Sequence, residues 1–200
     1  MGTLPCNREL RLPDSPLRLL AVKDEDAILP AYRRNAIGEL LRYHNLGQPP
    51  RAYTGAQLLI GMCMDNRKVL RLPDNFAYVL RVGGANMRPI EFKISFAVAV
   101  GGVRALALIG HDQCGMASLS VRRDEFVTGL MERGGWTRQA AEAHFDRHAP
   151  EFAVPSGPIF VWNEARRLQA RYPGIMVAPL YYLLRNRALY QVTGPRGPLV

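Results

Sequence analysis

The chain has 200 residues, of which 48% are apolar and 22% charged, enough for one domain with a sizeable core and far from the composition of a disordered protein. No apolar run approaches twenty residues, which excludes a membrane-spanning helix, and three cysteines (Cys6, Cys63, Cys114) are too few for a disulfide scaffold. The net charge of +9 rests on arginine, with Lys23, Lys68 and Lys93 the only lysines, but the arginines are scattered and not interleaved with aromatics, so no nucleic-acid partner is expected.

Residues 1–22, with Pro5, Pro13 and Pro16 among arginines and leucines, read as an arm. They lack the basic-then-apolar pattern of a signal peptide, so a cytoplasmic protein without a membrane partner is expected, and Cys6 is given no role. Asp24-Glu25-Asp26 starts a first helical turn, and a second helix is expected from Pro30 to Tyr43 with Ile37, Leu40 and Leu41 on one face. Residues 57–63 are apolar throughout and predict a strand buried on both faces. A second strand is expected over 75–81, followed by the tight turn Val82-Gly83-Gly84-Ala85-Asn86. A helix begins near Arg88, with Pro89 at its start and Ile90, Ile94, Ala97 and Val98 facing inward. The run 105–109 is a third buried strand, and a helix is expected from Met116 to Met131. Thr137 is the predicted N-cap of a further helix that stops at Ala149-Pro150. Residues 158–171 form an amphipathic helix, 175–184 a strand, and 188–192 a strand that pairs with it through the Arg185–Arg187 turn. Strand–turn–helix units in series predict one α/β domain over residues 1–200 with a mainly parallel sheet, and in such sheets ligands gather at the carboxyl ends of the strands.

Cys63, the Gly83-Gly84 turn and His111 all fall at such ends. Cys63, His111 and Cys114 offer two thiolates and one imidazole, good zinc ligands that would leave a tetrahedral ion one open position. Taken singly, Cys63 reads more readily as a small core residue and His111-x-x-Cys114 as a chance pairing. Asp65 and Arg67 alternate with Cys63, so an extended segment would turn all three to one side, where carboxylate and guanidinium can pair in fork geometry.

Cys63-Met64-Asp65-Asn66-Arg67 resembles the Cys-x-Asp-x-Arg signature of the β-class carbonic anhydrases, and Gly110-His111-Asp112-Gln113-Cys114-Gly115 resembles their Gly-His-x-x-Cys-Gly. The resemblance runs from about Gln57 to Met116 and returns more weakly over residues 160–192. It implies a four-stranded parallel central sheet flanked by helices, N-terminal helices that wrap a second subunit, and a homodimer or larger homo-oligomer, to which the 188–192 strand read above would add an extra edge strand. It further implies a zinc lyase: zinc on Cys63, His111 and Cys114, hydroxide in the open position oriented by Asp65, Arg67 keeping Asp65 off the metal, and carbon dioxide hydrated to bicarbonate and a proton.

The sequence departs from the family at Asn66, where Ser or Ala is usual, and at Gly83-Gly84-Ala85, where the pocket-lining turn commonly reads Asn-Ala-Gly. Residues 134–155 look like an inserted helical segment. Carbon disulfide or carbonyl sulfide hydrolysis on the same zinc site is therefore an alternative, and a non-catalytic zinc-binding assembly or regulatory protein is another. His44, His144 and His148 are candidates for a proton shuttle.

Overall fold

The computed structural model describes residues 9–11 and 15–199. Seven strands form one sheet in the order β1-β2-β7-β6-β5-β3-β4. The strands are β1 (Glu9–Arg11), β2 (Arg18–Ala21), β3 (Leu58–Met62), β4 (Ala77–Arg81), β5 (Ala105–His111), β6 (Met176–Leu183) and β7 (Ala188–Thr193). β4, β3, β5 and β6 run parallel, as expected, while β7, β2 and β1 continue the sheet antiparallel.

Two expectations about the ends of the chain change. Part of the predicted arm is strand: Leu19 pairs with Val192 and is 2% exposed. Leu19 and Ala21 alternate with Arg18 and Leu20, which lets one side join the core while the backbone completes a ladder. For the same reason β7 is an interior strand rather than an edge. Cys6 lies outside the described residues.

The alternation of side chains along the central strands divides the core between two faces. One face carries Leu59, Leu106, Leu108 and Val177, covered by α2 (Glu91–Ala99) through Ile94 and Ala97 and by α5 (Ile159–Arg171) through Val161, Ala165 and Leu168. The other carries Leu58, Ile60, Ile109 and Leu180, covered by α1 (Ala36–Asn45) through Ile37, Leu40 and Leu41. Each such fully buried aliphatic side chain contributes about 1.5–3 kcal/mol by leaving water. The N-terminal helix thus packs on its own chain. It starts at Ala36, later than expected, because the Asn35 side chain accepts the Ile37 N–H at 2.9 Å and caps it there.

Helices α3 (Arg123–Gly134) and α4 (Arg138–Phe152) pack against each other outside the sheet. The expected helix from Met116 is a 3-10 segment over Gly115–Arg122, interrupted at Ser118, before α3 begins. Thr137 caps α4 as expected, accepting the Ala140 N–H at 3.3 Å. α4 does not stop at Ala149-Pro150 but runs on to Phe152. Proline lacks one N–H, but this last turn is held from outside: Asn86 Nδ2 donates to the Glu151 carbonyl at 2.6 Å, and Val154 N donates to Met116 at 3.2 Å.

Candidate metal centre

β3 leads to β4 on one side, and the chain then returns to β5 on the other side of β3. The crevice between the carboxyl ends of β3 and β5 is therefore the point where the strand order reverses, the usual ligand position in open α/β sheets. Met62 pairs with Ile109 at this end, which delivers Cys63 and His111 to the crevice from adjacent strands. Gln113, with φ of 53°, turns the chain so that Cys114 comes back beside them.

One ligand atom from each of Cys63, His111 and Cys114 lies within 4.8 Å of the others. The two sulfurs are 3.9 Å apart, too far for a disulfide and close to the ~3.8 Å edge of a tetrahedron with metal–sulfur bonds of ~2.3 Å. His111 is 4% exposed. Its Nδ1–H donates to the Asp112 carbonyl at 2.7 Å, which leaves Nε2 as a buried lone pair with no partner among the described residues. A buried imidazole nitrogen without a hydrogen bond is costly, and a cation between it and two sulfurs removes that cost. The donor set fits a borderline-soft divalent ion.

The sulfurs are electrostatically coupled. The hydrogen bond from Cys114 is the largest influence lowering the Cys63 thiol pKa; burial opposes it, and the backbone N–H groups of Asp65 and Gly84 assist. Cys114 is pushed the other way by its bond to Cys63, by burial and by the Cys63 charge. Without a cation, one thiolate is favoured and a second is not; a dication is what permits both.

Asp65 and Arg67 pair as expected, but not through an extended segment. Residues 66–67 form a turn in which Asp65 Oδ1 accepts the Arg67 N–H at 2.9 Å. The guanidinium then folds back, Nε to Oδ1 at 3.0 Å and Nη2 to Oδ2 at 2.6 Å. This holds the Asp65 carboxyl well below the usual carboxylate range, the Arg67 hydrogen bond being the main cause. Arg67 also donates to the Gln113 carbonyl, so it ties the turn after β3 to the turn after β5.

The glycine turn contributes unequally. Gly84 has φ of 64°, and its N–H donates to Cys63 Sγ at 3.3 Å. A Cβ there would lie 2.9 Å from both Val154 methyls, so glycine is required for conformation and for space. Gly84 lines a cavity of about 270 Å³ with His111, Gln113, Cys114, Val154 and Phe160. Gly83 faces a second cavity of about 230 Å³ instead, behind Met116 and beside His144 and His148. Ala85 is fully buried in the apolar core. Of the three expected pocket residues, only Gly84 borders the same cavity as His111 and Cys114. The segment 134–155 supplies a wall of that cavity through Val154 and Pro155.

Three participants were not apparent in the sequence: Gln113, which receives Arg67; Arg81, which donates to the backbone carbonyls of Cys63, Asp65 and Lys68; and Lys68 itself, which is buried. The available signal was a lysine one place after the Asp65–Arg67 pair in a chain with so few lysines. His44 packs under Tyr182, bonded to the Arg71 N–H and the Arg187 carbonyl, and lines neither cavity.

Compared by sequence, the chain matches no family model and no curated protein. Compared by structure, it is similar to a carbonic anhydrase from Glaciozyma antarctica, with a TM-score of 0.56 at 19% identity over 86% of this chain and 96% of that one. It is also similar to a β-carbonic anhydrase of Trichomonas vaginalis, with a TM-score of 0.57 at 16% identity over 75% and 88% of the two chains. A carbonic anhydrase from Streptococcus mutans aligns with a TM-score of 0.53 at 14% identity over 82% and 99%. The chain has the β-carbonic anhydrase fold. It carries, at the reversal point of that fold, a Cys-His-Cys group able to hold a metal. Among the described residues no helix is long and apolar enough to cross a membrane.

Proposed function

We propose that this chain is a zinc enzyme that hydrates carbon dioxide to bicarbonate and a proton. The observation that carries the reading is the buried Nε2 of His111, left without a partner within one cluster with two cysteine sulfurs, beside a carboxylate locked by arginine. Cys63, His111 and Cys114 would hold zinc, three protein ligands being the pattern of catalytic rather than closed structural sites. Zinc held there would supply Lewis acidity, lowering the pKa of water from near 16 to about 7.

The chain's own groups do the rest. Arg67 occupies both oxygens of Asp65, which keeps the carboxylate ionised and would keep it from ligating the metal. Asp65 then accepts a hydrogen bond from the attacking water and fixes the direction of its lone pair toward the carbon of the substrate. The water oxygen forms a C–O bond as one C=O π bond of the substrate opens onto its oxygen, the water's O–H proton passes to solvent, and bicarbonate leaves. Gly84, Val154 and Phe160 give the cavity an apolar wall suited to a small linear substrate. A structural zinc site would need no Asp65–Arg67 pair, which is why the non-catalytic alternative is set aside.

The protein acts as a homodimer in this reading. Among the described residues β4 pairs with β3 alone, and its Tyr78 and Val79 are 45% and 42% exposed, an apolar sheet edge suited to a second copy. Stopped-flow assay of carbon dioxide hydration across pH, with metal content measured on the same sample, tests the function. Activity with about one zinc per chain is the expected result. Zinc-loaded protein that is silent toward carbon dioxide but releases sulfide from carbonyl sulfide would reassign the substrate.

A further inference from the structure

His144 and His148 stand one helical turn apart on α4, so both project from the same face. Their ring centroids are 4.8 Å apart. A metal–nitrogen bond of about 2.0–2.1 Å puts a ligating ring's centroid about 3.2 Å from the ion, so two imidazoles sharing one ion at about 90–110° have centroids about 4.5–5.2 Å apart. The pair stands at that separation. His144 is held in place by aromatic neighbours: it stacks on Phe126 of α3, with centroids 6.2 Å apart and planes at 17°, and lies 5.1 Å from the Trp136 ring.

The ring nitrogens are free to ligate. His44 uses both of its nitrogens in hydrogen bonds and His111 uses one, but among the described residues no hydrogen bond includes the ring of His144 or His148. Asp146, which lies between them in the sequence, is engaged through both oxygens by Arg123. Among the described residues, Cys63, His111 and Cys114 are the one group of three or more such ligands, so the histidine pair would bind through two imidazoles and leave the other coordination positions to water. Imidazoles without a carboxylate select zinc, nickel or copper over magnesium and calcium, which take oxygen. The pair borders the cavity behind Met116, whereas His111 and Cys114 border the other.

We propose that His144 and His148 form a second metal site, a two-imidazole seat for a transition dication, separate from the Cys63–His111–Cys114 centre. Its place in the helix gives it a structural consequence. Pro150 has no N–H to offer the Asp146 carbonyl, so α4 lacks one bond within this turn. An ion joining His144 to His148 braces the helix across that gap, just before the segment that carries Val154 into the wall of the metal-centre cavity.

The test uses nickel chloride alone as the probe. Ni²⁺ quenches a nearby indole, and Trp136 is the indole beside His144. Nickel is titrated into the full chain while tryptophan fluorescence is followed, and thermal midpoints are taken with and without the ion. Wild type is expected to show saturable quenching and a raised midpoint. Cys114→Ser is expected to keep the quenching, since the site does not involve the cysteines. His144→Gln and His148→Gln should each weaken the apparent nickel affinity about tenfold or more, because losing a direct ligand costs at least what losing an outer partner does, and nickel should no longer raise their midpoints. His144 is exposed and His148 half-buried, so both variants are read on folded protein. Quenching that never saturates in wild type overturns the proposal before any variant is made. Saturation that survives both histidine substitutions overturns it as well, and saturation lost in Cys114→Ser would place the nickel at the cysteine cluster instead. Zinc content, measured separately, decides the reading of that cluster independently of these results.

Discussion

Arg67 Nη2 donates to the Gln113 backbone carbonyl at 2.9 Å while the same guanidinium grips Asp65. One side chain therefore couples the turn carrying Asp65 to the turn carrying His111 and Cys114, and the relative position of the carboxylate and the candidate ligands depends on it. Asp65→Asn should keep zinc and the fold but lose about a hundredfold or more in kcat/KM, since it removes the charged acceptor and little volume. Metal analysis with stopped-flow kinetics checks this; unchanged kinetics with full zinc would remove Asp65 from the mechanism. Arg67→Met should lose a comparable factor by freeing Asp65.

In the proposed centre Cys114 would supply one of three ligands, and its loss could not be compensated by the remaining pair. Cys114→Ser should release zinc to a chelator at concentrations that leave wild type loaded, because a serine hydroxyl is a poor replacement for a thiolate. In wild type, zinc should also protect Cys63 and Cys114 from alkylation. Full zinc retention by the serine variant would show that Cys114 is not a ligand.

Gly84→Ala meets two penalties: a left-handed backbone conformation and a Cβ 2.9 Å from the Val154 methyls. The cost should be about 1–3 kcal/mol by denaturant melts. Val154→Ala in the same chain should recover the steric part and leave the conformational part. If the double variant shows no coupling between the two sites, the close approach is not a source of strain.

His44 is held neutral by burial, which lowers its pKa from 6.5; the Arg187 carbonyl acts in the opposite sense, and Arg71 adds to the lowering. Its Nδ1 accepts the Arg71 N–H, a bond that protonation of that nitrogen abolishes. A histidine pKa depressed on folding stabilises the protein fully above the unfolded value and loses that contribution as pH falls through the folded value. Stability should therefore decline on acidification below about 6.5, and His44→Gln should flatten that part of the profile. Chemical denaturation at several pH values measures it.

The exposed apolar edge of β4 predicts a reversible change of assembly. Val79→Lys should shift a dimer toward monomer in light scattering coupled to gel filtration, because a charge at an unpaired strand edge blocks edge pairing. A dimer insensitive to this change would place the subunit contact elsewhere.

The parallel strands, their order of appearance and most helices were legible because local patterns specify them. Residues 58–62 and 105–109 are unbroken apolar runs, Thr137 caps a helix, and the Pro158–Arg171 stretch is amphipathic. The N-terminal strand was not legible, since Arg18–Ala21 is too short to announce pairing and becomes a strand only against β7, more than 160 residues away. The continuation of α4 through Pro150 was hidden for the same reason: the bonds that hold its last turn come from Asn86 and Met116.

At the centre itself, residue identity and spacing were sufficient to nominate Cys63, His111 and Cys114, because metal ligation is a matter of donor type at fixed positions after strands. The partner of Arg67 on the second motif, the buried state of Lys68 and the separation of Gly83 from Gly84 between two cavities were decided only by tertiary structure. Each depends on what a distant segment places opposite the residue: Gln113 across the crevice, Arg81 from the neighbouring strand, and Met116 and Val154 from beyond β5. A sequence specifies which groups a chain carries and how its backbone is locally inclined. Burial and charge compensation are properties of the assembled surroundings, and they exist only once the strands have brought those surroundings together.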